Sequence, residues 1–499
     1  MANKQLQSDN VDKKMFRHCE IRNSDFIRYY GKETEVVIPD FITTVAEGAF
    51  RGNQRLTRVV LGKNVSVIQS DAFRDCTHLR SVVLSSSLRV LGDGAFRDCK
   101  VLDGLTLPDS VVSIGKGAFC GCRALAALEL PSELTTVGDY AFAQCSALRS
   151  IRIPDKIDRL NRSVLYQCTS LQKVLLPPDM HAIGRHAFGG CTALESIEIP
   201  AGVTYIGNGA FSECRALNGI RLPSGIRFVG DYAFTACESL SELDVPSGVT
   251  YIGIDSFCGC TSLERVSLPE TLEHIGPSAF LYCKSLKEIT LPSALRELGR
   301  RSFAYCTALE RVDFRAQTEE IEDECFLSCL SLTEIRLSDS VTRIGEKAFY
   351  QCMSLQSIRL SVSLRVIGEY AFAECTALRE ISLPQAMERL ENNVFTDCVS
   401  LTDVILPNHR FHGAHGLFSG CESLRTLVVP DGHRLIRHRF ELWALPSRVE
   451  IVTHSALRRG VLLTELADPS LSPEKREILE QELRNLTTHR RKKKKEKQS

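Results

Sequence analysis

The apolar positions of this chain recur every 23 residues. From Leu56 the unit reads L-x-x-V/I/L-x-L-P-x-x-V-x-x-I-G-x-x-A-F-x-x-C-x-x, and steps of 23 from Cys76 land on a Cys each time as far as Cys421. The Phe three residues before it keeps the step from Phe50 to Phe418, with Leu165 as its only replacement. The Leu three residues after it runs from Leu56 to Leu424. A fixed period of this kind means one supersecondary unit stacked on copies of itself.

Inside the unit the pattern predicts three pieces. Leu-x-x-Ile-x-Leu, as in Leu263, Val266 and Leu268, alternates inward positions and is a short strand. A following Pro, such as Pro108 or Pro269, ends it because Pro has no N–H for a ladder. Val203-Thr204-Tyr205-Ile206-Gly207 is a second short extended segment closed by a Gly turn. Ala-Phe-x-x-Cys then has the spacing of one helical turn, with Phe and Cys on the same inner face.

The first coil starts near Glu33 and has Asn53 at the later Cys position; about 17 coils fit between residues 33 and 430. Residues 1–32 precede them as an N-terminal cap. There Glu20-Ile21-Arg22 and Phe26 to Tyr30 flank Asn23-Ser24-Asp25, a turn cluster between β-prone runs, which predicts a hairpin over the open end of the stack. After Pro430 the period decays. Residues 431–454, with Phe440, Leu442, Trp443 and Leu445, are expected to form a C-terminal cap. Residues 455–489 are helical: Ser455 to Ala467 is one stretch, and Ser472-Pro473-Glu474 opens another whose Leu479, Leu483 and Leu486 share a face. Residues 490–499 are expected to be a disordered basic tail.

The unit resembles the BspA-type leucine-rich repeat over about 390 residues, from 33 to 430. That resemblance implies a curved solenoid, mostly β with short helical turns, with a sheet along one side. It also implies adhesion or protein binding, with no catalytic residues to carry over. Departures at Asn161 and Leu165, at Arg315 to Cys325 and at Asn408 to Gly416 mark coils expected to be bent or loosened.

Composition changes this picture little. The 20 cysteines would signal disulfides in a short secreted chain, yet sixteen are one repeat position and point the same way in every coil. A buried ladder of reduced thiols is the expectation. Met1 to Glu20 has no apolar core of a secretory signal, and no run reaches a membrane span, so a cytoplasmic protein is expected; the alternative is a cell-surface or secreted one. The formal charge is zero, but residues 490–499 hold seven Lys/Arg and one acid, leaving +6 on the tail and −6 on the rest.

The search for chemistry finds no phosphate loop, no G-x-S-x-G, no H-E-x-x-H and no EF-hand loop, so no catalytic, cofactor or metal residues are assigned. His409, His412 and His415 are spaced for a metal but sit in the degenerate last coil, where surface turn histidines are the plainer account.

Constant residues build the core of such a unit, so variable ones face a partner. Tyr205, Phe228 and Tyr251 occupy one variable position in three consecutive coils and form an expected aromatic ladder. Glu198, Arg221 and Asp244 lie on the outward face of the first strand of the same coils, where cross-strand ion pairing is the plainer account. Tyr282, Tyr305 and Tyr350 gather with Leu281 and Leu327 around the Phe-to-Cys turn. Arg490, Arg491, Lys492, Lys493, Lys494, Lys495 and Lys497 are candidates for weak polyanion contact. The expected function is therefore a non-enzymatic protein-binding scaffold. The alternatives are a surface adhesin or host-interaction protein, and a tail-directed binder of nucleic acid or anionic membrane.

Overall fold

The computed structural model describes residues 18–409, 412–413, 415–431, 442–467 and 472–495. It divides into two units, Met1–Leu295 and Arg296–Ser499. Both are stacks of 23-residue coils, so the protein is a repeat solenoid.

Most coils contribute two short strands, which pair in parallel with their equivalents 23 residues on, with interruptions such as that between Thr136–Val137 and Arg159–Leu160. In the first unit the first row begins Glu35–Val37, Arg58–Val60, Ser81–Val83 and Gly104–Leu105. The second row includes Thr44–Val45, Val67–Ile68 and Val90–Leu91. In the second unit the rows run Glu334–Arg336 to Ser357–Arg359 and Glu320–Ile321 to Arg343–Ile344. The alternating inward residues, such as Leu240, Leu243 and Val245, are buried, and the residues between them are exposed. Pro closes the turn between the rows: the N–H of Val203 donates to the Pro200 carbonyl at 3.0 Å, and that of Val249 to Pro246 at 3.0 Å.

The Phe-to-Cys corner differs from the single helical turn expected. Ala72, Arg74 and Cys76 donate their N–H groups back three residues, at 3.4, 3.0 and 3.2 Å. Asp71, Phe73 and Asp75 instead donate to the carbonyls of Asp93, Ala95 and Arg97 in the next coil, at 2.7, 2.7 and 2.8 Å. The physical reason is that Asp71 and Asp75 have φ of 53° and 60°, which turns alternate N–H groups outward and forbids a continuous α-helix. Both left-handed positions repeat with the coil, the first falling on Gly94, Gly117 and Tyr140, the second on Asp98, Gly121 and Gln144.

The inner face of the corner is nonetheless as expected. Phe rings stack from Phe50 through Phe142 and from Phe188 through Phe280 in the first unit, and from Phe303 through Phe418 in the second. Leu165 fills its place in the column, fully buried. The repeat cysteines are buried free thiols. These thiols donate to the carbonyl of the residue at the Phe position one coil back, as Cys76 does to Phe50 at 3.1 Å, Cys191 to Leu165 at 3.2 Å and Cys352 to Phe326 at 3.3 Å. Burial pushes Cys76, Cys168 and Cys352 up to about 12, which keeps them protonated and unreactive.

At the N-terminal end Cys19–Arg22 (β1) and Asp25–Tyr29 (β2) form an antiparallel hairpin, and β2 pairs in parallel with Thr44–Val45. Phe26 stacks on Phe50 at 5.0 Å, and Tyr29 lies 5.3 Å from the same ring. At the other end Trp443 packs edge-on against Phe418 at 6.4 Å; His433 to Ile436 and Phe440 lie outside the described residues. The strand Glu450–Thr453 extends the first row, followed by helix α1 (His454–Leu466), which Thr453 caps. Helix α2 (Pro473–Lys495) returns against α1, with Arg458 bound to both carboxylate oxygens of Glu482 at 2.9 and 3.0 Å. Leu479 is buried, and Leu483 and Leu486 are half-buried. The expected disordered tail is thus helical in its backbone as far as Lys495, because a run of Lys and Arg, both good helix formers, continues a helix already nucleated.

Of the departures from the repeat, Asn161 is absorbed: its amide donates to the Val137 carbonyl at 2.8 Å. In the Arg315 to Cys325 stretch, Cys325 is buried beside the Ser302 hydroxyl at 3.3 Å, and Glu320–Ile321 keeps its pairing.

Candidate interaction surface

On the second row an inward Ile, Val or Leu fixes most of the two-residue strands, so the residue before it turns outward. Ile206, Val229 and Ile252 are buried, and Tyr205, Phe228 and Tyr251 precede them. Tyr205 is 41% and Tyr251 37% exposed, and Phe228 is half-buried. The Tyr205 and Phe228 rings meet edge-on at 5.6 Å and 69°, and Phe228 is the register partner of Tyr251. The ladder has a fourth step that the sequence reading stops short of: His274 pairs in register with Tyr251, and their rings are 6.3 Å apart. Its signal is the same 23-residue step. The sheet itself is interrupted between Tyr205–Ile206 and Phe228–Val229, so ring contact rather than strand pairing joins those two steps.

Glu198, Arg221 and Asp244 are exposed, but on the first row, across the Pro turn from the aromatic ladder. Among the described residues none of the three forms an ion pair. Their neighbours on the same row differ: Glu242 and Arg265 meet at 3.0 Å, and Lys287 and Glu264 at 2.8 Å. The hydrogen bond from Lys287 holds the Glu264 carboxyl below its ordinary value. Such exposed pairs contribute little to stability, but they occupy their own charges.

The third candidate group is split. Tyr282, 41% exposed, belongs to the first unit, and Tyr305 and Tyr350 belong to the second. Tyr282 and Tyr305 occupy the second left-handed corner position, with φ of 63° and 59°. Tyr350 donates its hydroxyl to Glu374, which also accepts from Gln351 at 2.9 Å. That carboxylate holds the phenol up to about 12. Leu327 is buried, whereas Leu330 and Met353, which the sequence reading does not single out, are exposed.

The remaining candidates supply less. The backbone of Arg490, Arg491, Lys492, Lys493, Lys494 and Lys495 belongs to α2, and Lys497 lies outside the described residues. The His409 ring lies 2.6 Å from the Gln385 carbonyl, and the His415 N–H donates to Asn392. Among the described residues no group of three or more His, Cys, Asp or Glu is arranged to hold a metal, and no helix is long and apolar enough to cross a membrane.

Comparison with known proteins agrees with the architecture. The model of the family described as BspA type leucine rich repeat region (6 copies) matches residues 19–111, 92–217, 181–310 and 319–440. A leucine-rich repeat protein from Bacteroides ovatus is 31% identical over 70% of this chain and 91% of its own, with a TM-score of 0.62. The T. pallidum leucine-rich repeat protein is also 31% identical, over 34% of this chain and 82% of its own, with a TM-score of 0.33. A leucine rich cell surface protein from Faecalibacterium prausnitzii is 21% identical over 83% of this chain and 93% of its own, with a TM-score of 0.36. No curated protein matches the sequence.

Proposed function

The chain belongs to the BspA type leucine-rich repeat family, and on that premise we propose that it is a non-enzymatic scaffold that binds a protein partner through the Tyr205, Phe228 and Tyr251 ladder. The observation that carries this reading is exposure of aromatic faces in consecutive coils on rigid strands. Large, stiff side chains of this kind anchor interfaces at low entropic cost. Glu198, Arg221 and Asp244 serve the partner's approach rather than its grip, since exposed charges act mostly on association rate and selectivity. The free-thiol ladder supports a reducing, cytoplasmic setting. The basic run at the end of α2 adds a salt-dependent attraction to polyanions.

The test is a Tyr205→Ala, Phe228→Ala, Tyr251→Ala variant, checked for folding and used beside wild type to capture partners from the native cell. Each true anchor is expected to contribute about 2 kcal/mol or more to binding. Recovery of the same partners at the same yield removes the ladder as the binding surface.

A further inference from the structure

One side-chain position at the corner has a recurring task. Asp93 Oδ1 accepts the N–H of Lys116 at 2.7 Å, Asp139 that of Arg162 at 3.0 Å and Asp231 that of Ile254 at 3.0 Å. In the second unit Asp323 accepts from Glu346 at 2.8 Å and Asn392 from His415 at 3.1 Å. Each acceptor is 23 residues before its donor, so the N–H at this step is oriented to receive a carboxylate or amide oxygen from the coil before it.

A cation stands at this step in four coils, at Lys116, Arg162, Arg185 and Arg300, and Arg162 and Arg185 are the pair in consecutive coils. Arg162 precedes Arg185 by 23 residues, and Arg185 precedes Asn208. Among the described residues neither the Arg185 N–H nor the Asn208 N–H has an acceptor, and the Asn208 amide turns instead to Asp231 at 3.1 Å. Arg162 and Arg185 are exposed and form no ion pair among the described residues, and neither does Arg159 on the adjoining strand. The Arg162 guanidinium lies 5.5 Å from the Tyr140 ring centre. The nearby acids do not compensate: Asp139 already accepts through Oδ1, and Asp158 forms no ion pair among the described residues. His186 lies between, with Nδ1 buried. Burial, and after it the Arg185 and Arg162 charges, hold that imidazole below its ordinary value.

We propose that Arg162, Arg185 and the N–H groups of Arg185 and Asn208 form a docking site for two neighbouring carboxylates on an extended acidic segment of a protein partner. Coils paired as strands are about 4.8 Å apart, which suits acidic side chains close together along one chain. Guanidinium groups bind carboxylates through paired, charge-assisted hydrogen bonds. Carboxylate is favoured over phosphate because the same N–H takes a carboxylate in the sister coils. The site also adjoins the aromatic ladder, since Ala182 pairs in register with both Arg159 and Tyr205. The inference therefore rests on the scaffold reading and names the partner's chemistry.

The probe is fluorescein-labelled hexaglutamate, with hexaglutamine as control, titrated into the full chain at low salt. Arg162→Asp with Arg185→Asp restores the internal acceptors and fills the site from within. The expected result is binding weakened about tenfold or more, the loss of roughly one charged hydrogen bond, with a thermal midpoint no lower than wild type. Arg162→Gln with Arg185→Gln, which removes charge without adding acid, is expected to weaken binding by a smaller factor. Arg336→Asp with Arg359→Asp makes the same charge change in two consecutive coils elsewhere and is expected to leave binding nearly unchanged. The proposal is overturned if the Arg162/Arg185 variants bind like wild type, if the remote pair loses as much, or if oligothymidylate binds through these arginines more tightly than hexaglutamate. Hexaglutamate has no apolar group, so the triple aromatic variant is expected to bind it normally. Loss of the hexaglutamate effect with retained partner dependence on the ladder would leave the scaffold reading standing; the reverse pattern would remove the ladder alone.

Discussion

Two aromatic ladders run along this protein with the same step and opposite treatment. The inner Phe rings are fully buried, 4.9 to 5.8 Å apart and within 12° of parallel. The outer Tyr205 and Phe228 rings cross at 69°, and Tyr251 and His274 at 48°. Coil spacing imposes the parallel column inside, where each ring stacks on the rings of neighbouring coils. Outside, the Tyr205 and Phe228 rings take the edge-on contact that aromatic quadrupoles prefer. The lesson is that a repeated position acquires meaning from its surroundings: equal spacing yields a spine on one side and partly exposed rings on the other.

The sharpest way to break that contrast is to truncate the same residue type on each side. Phe257→Ala is expected to cost about 3 to 5 kcal/mol, as large core truncations do, and Phe228→Ala only about 1 kcal/mol, as partly exposed changes do. Chemical denaturation measures both. Hydrogen exchange should show the Phe257 effect in both adjacent coils, because stability is a sum of neighbour interfaces. A change confined to one coil, or equal costs for the two variants, would show that the inner column is not a shared spine.

Thiol chemistry sharpens the inner side. Native protein is expected to label first at Cys19, Cys120 and Cys258, which are half-buried, while the repeat thiols react only on unfolding. Cys237→Ala, which removes one buried atom and its bond to the Phe211 carbonyl, is expected to cost about 1 kcal/mol. Rapid labelling of most repeat cysteines would refute a closed core.

Tyr350 is intermediate between the two ladders, and its effect is the smallest. Its phenol titrates at about 12 when folded, above the ordinary value near 10. A raised folded value means that the stabilisation from the Glu374 bond is complete below about pH 10 and is lost as pH rises through about 12. The stability gap between wild type and Tyr350→Phe should therefore shrink across that window. A gap that stays constant with pH would show that the hydrogen bond does not form.

Much of this was legible beforehand, and particular residues show why the rest was not. Phe73, Cys76 and Leu79 are read directly, because burial dictates residue type at those steps. The left-handed corners are not, since Asp71, Tyr140, His186 and Lys347 all occupy the same step and share a backbone angle rather than a chemistry. The only trace was the recurrence of Gly94, Gly117 and Gly209 there. The empty acceptor positions at Arg162 and Arg185 were invisible for a related reason: an arginine at a variable position looks like any solvated charge until Asp93 and Asp139 are seen to carry a bond there.

The backbone-to-backbone hydrogen bonds of the Phe-to-Cys corner run one way. Phe50 donates forward to Ala72 and Phe73 to Ala95, while Tyr29 donates to the otherwise idle Ala49 carbonyl, and Leu442 and Trp443 accept from Gly416 and Phe418. A stack wired in this sense has a donor plug at its head and an acceptor plug at its tail, so the two ends are not interchangeable. Its length, by contrast, is free. Excision of 23 residues between equivalent corner positions leaves every donor facing an acceptor, so gain or loss of whole coils alters reach and surface without disturbing either plug.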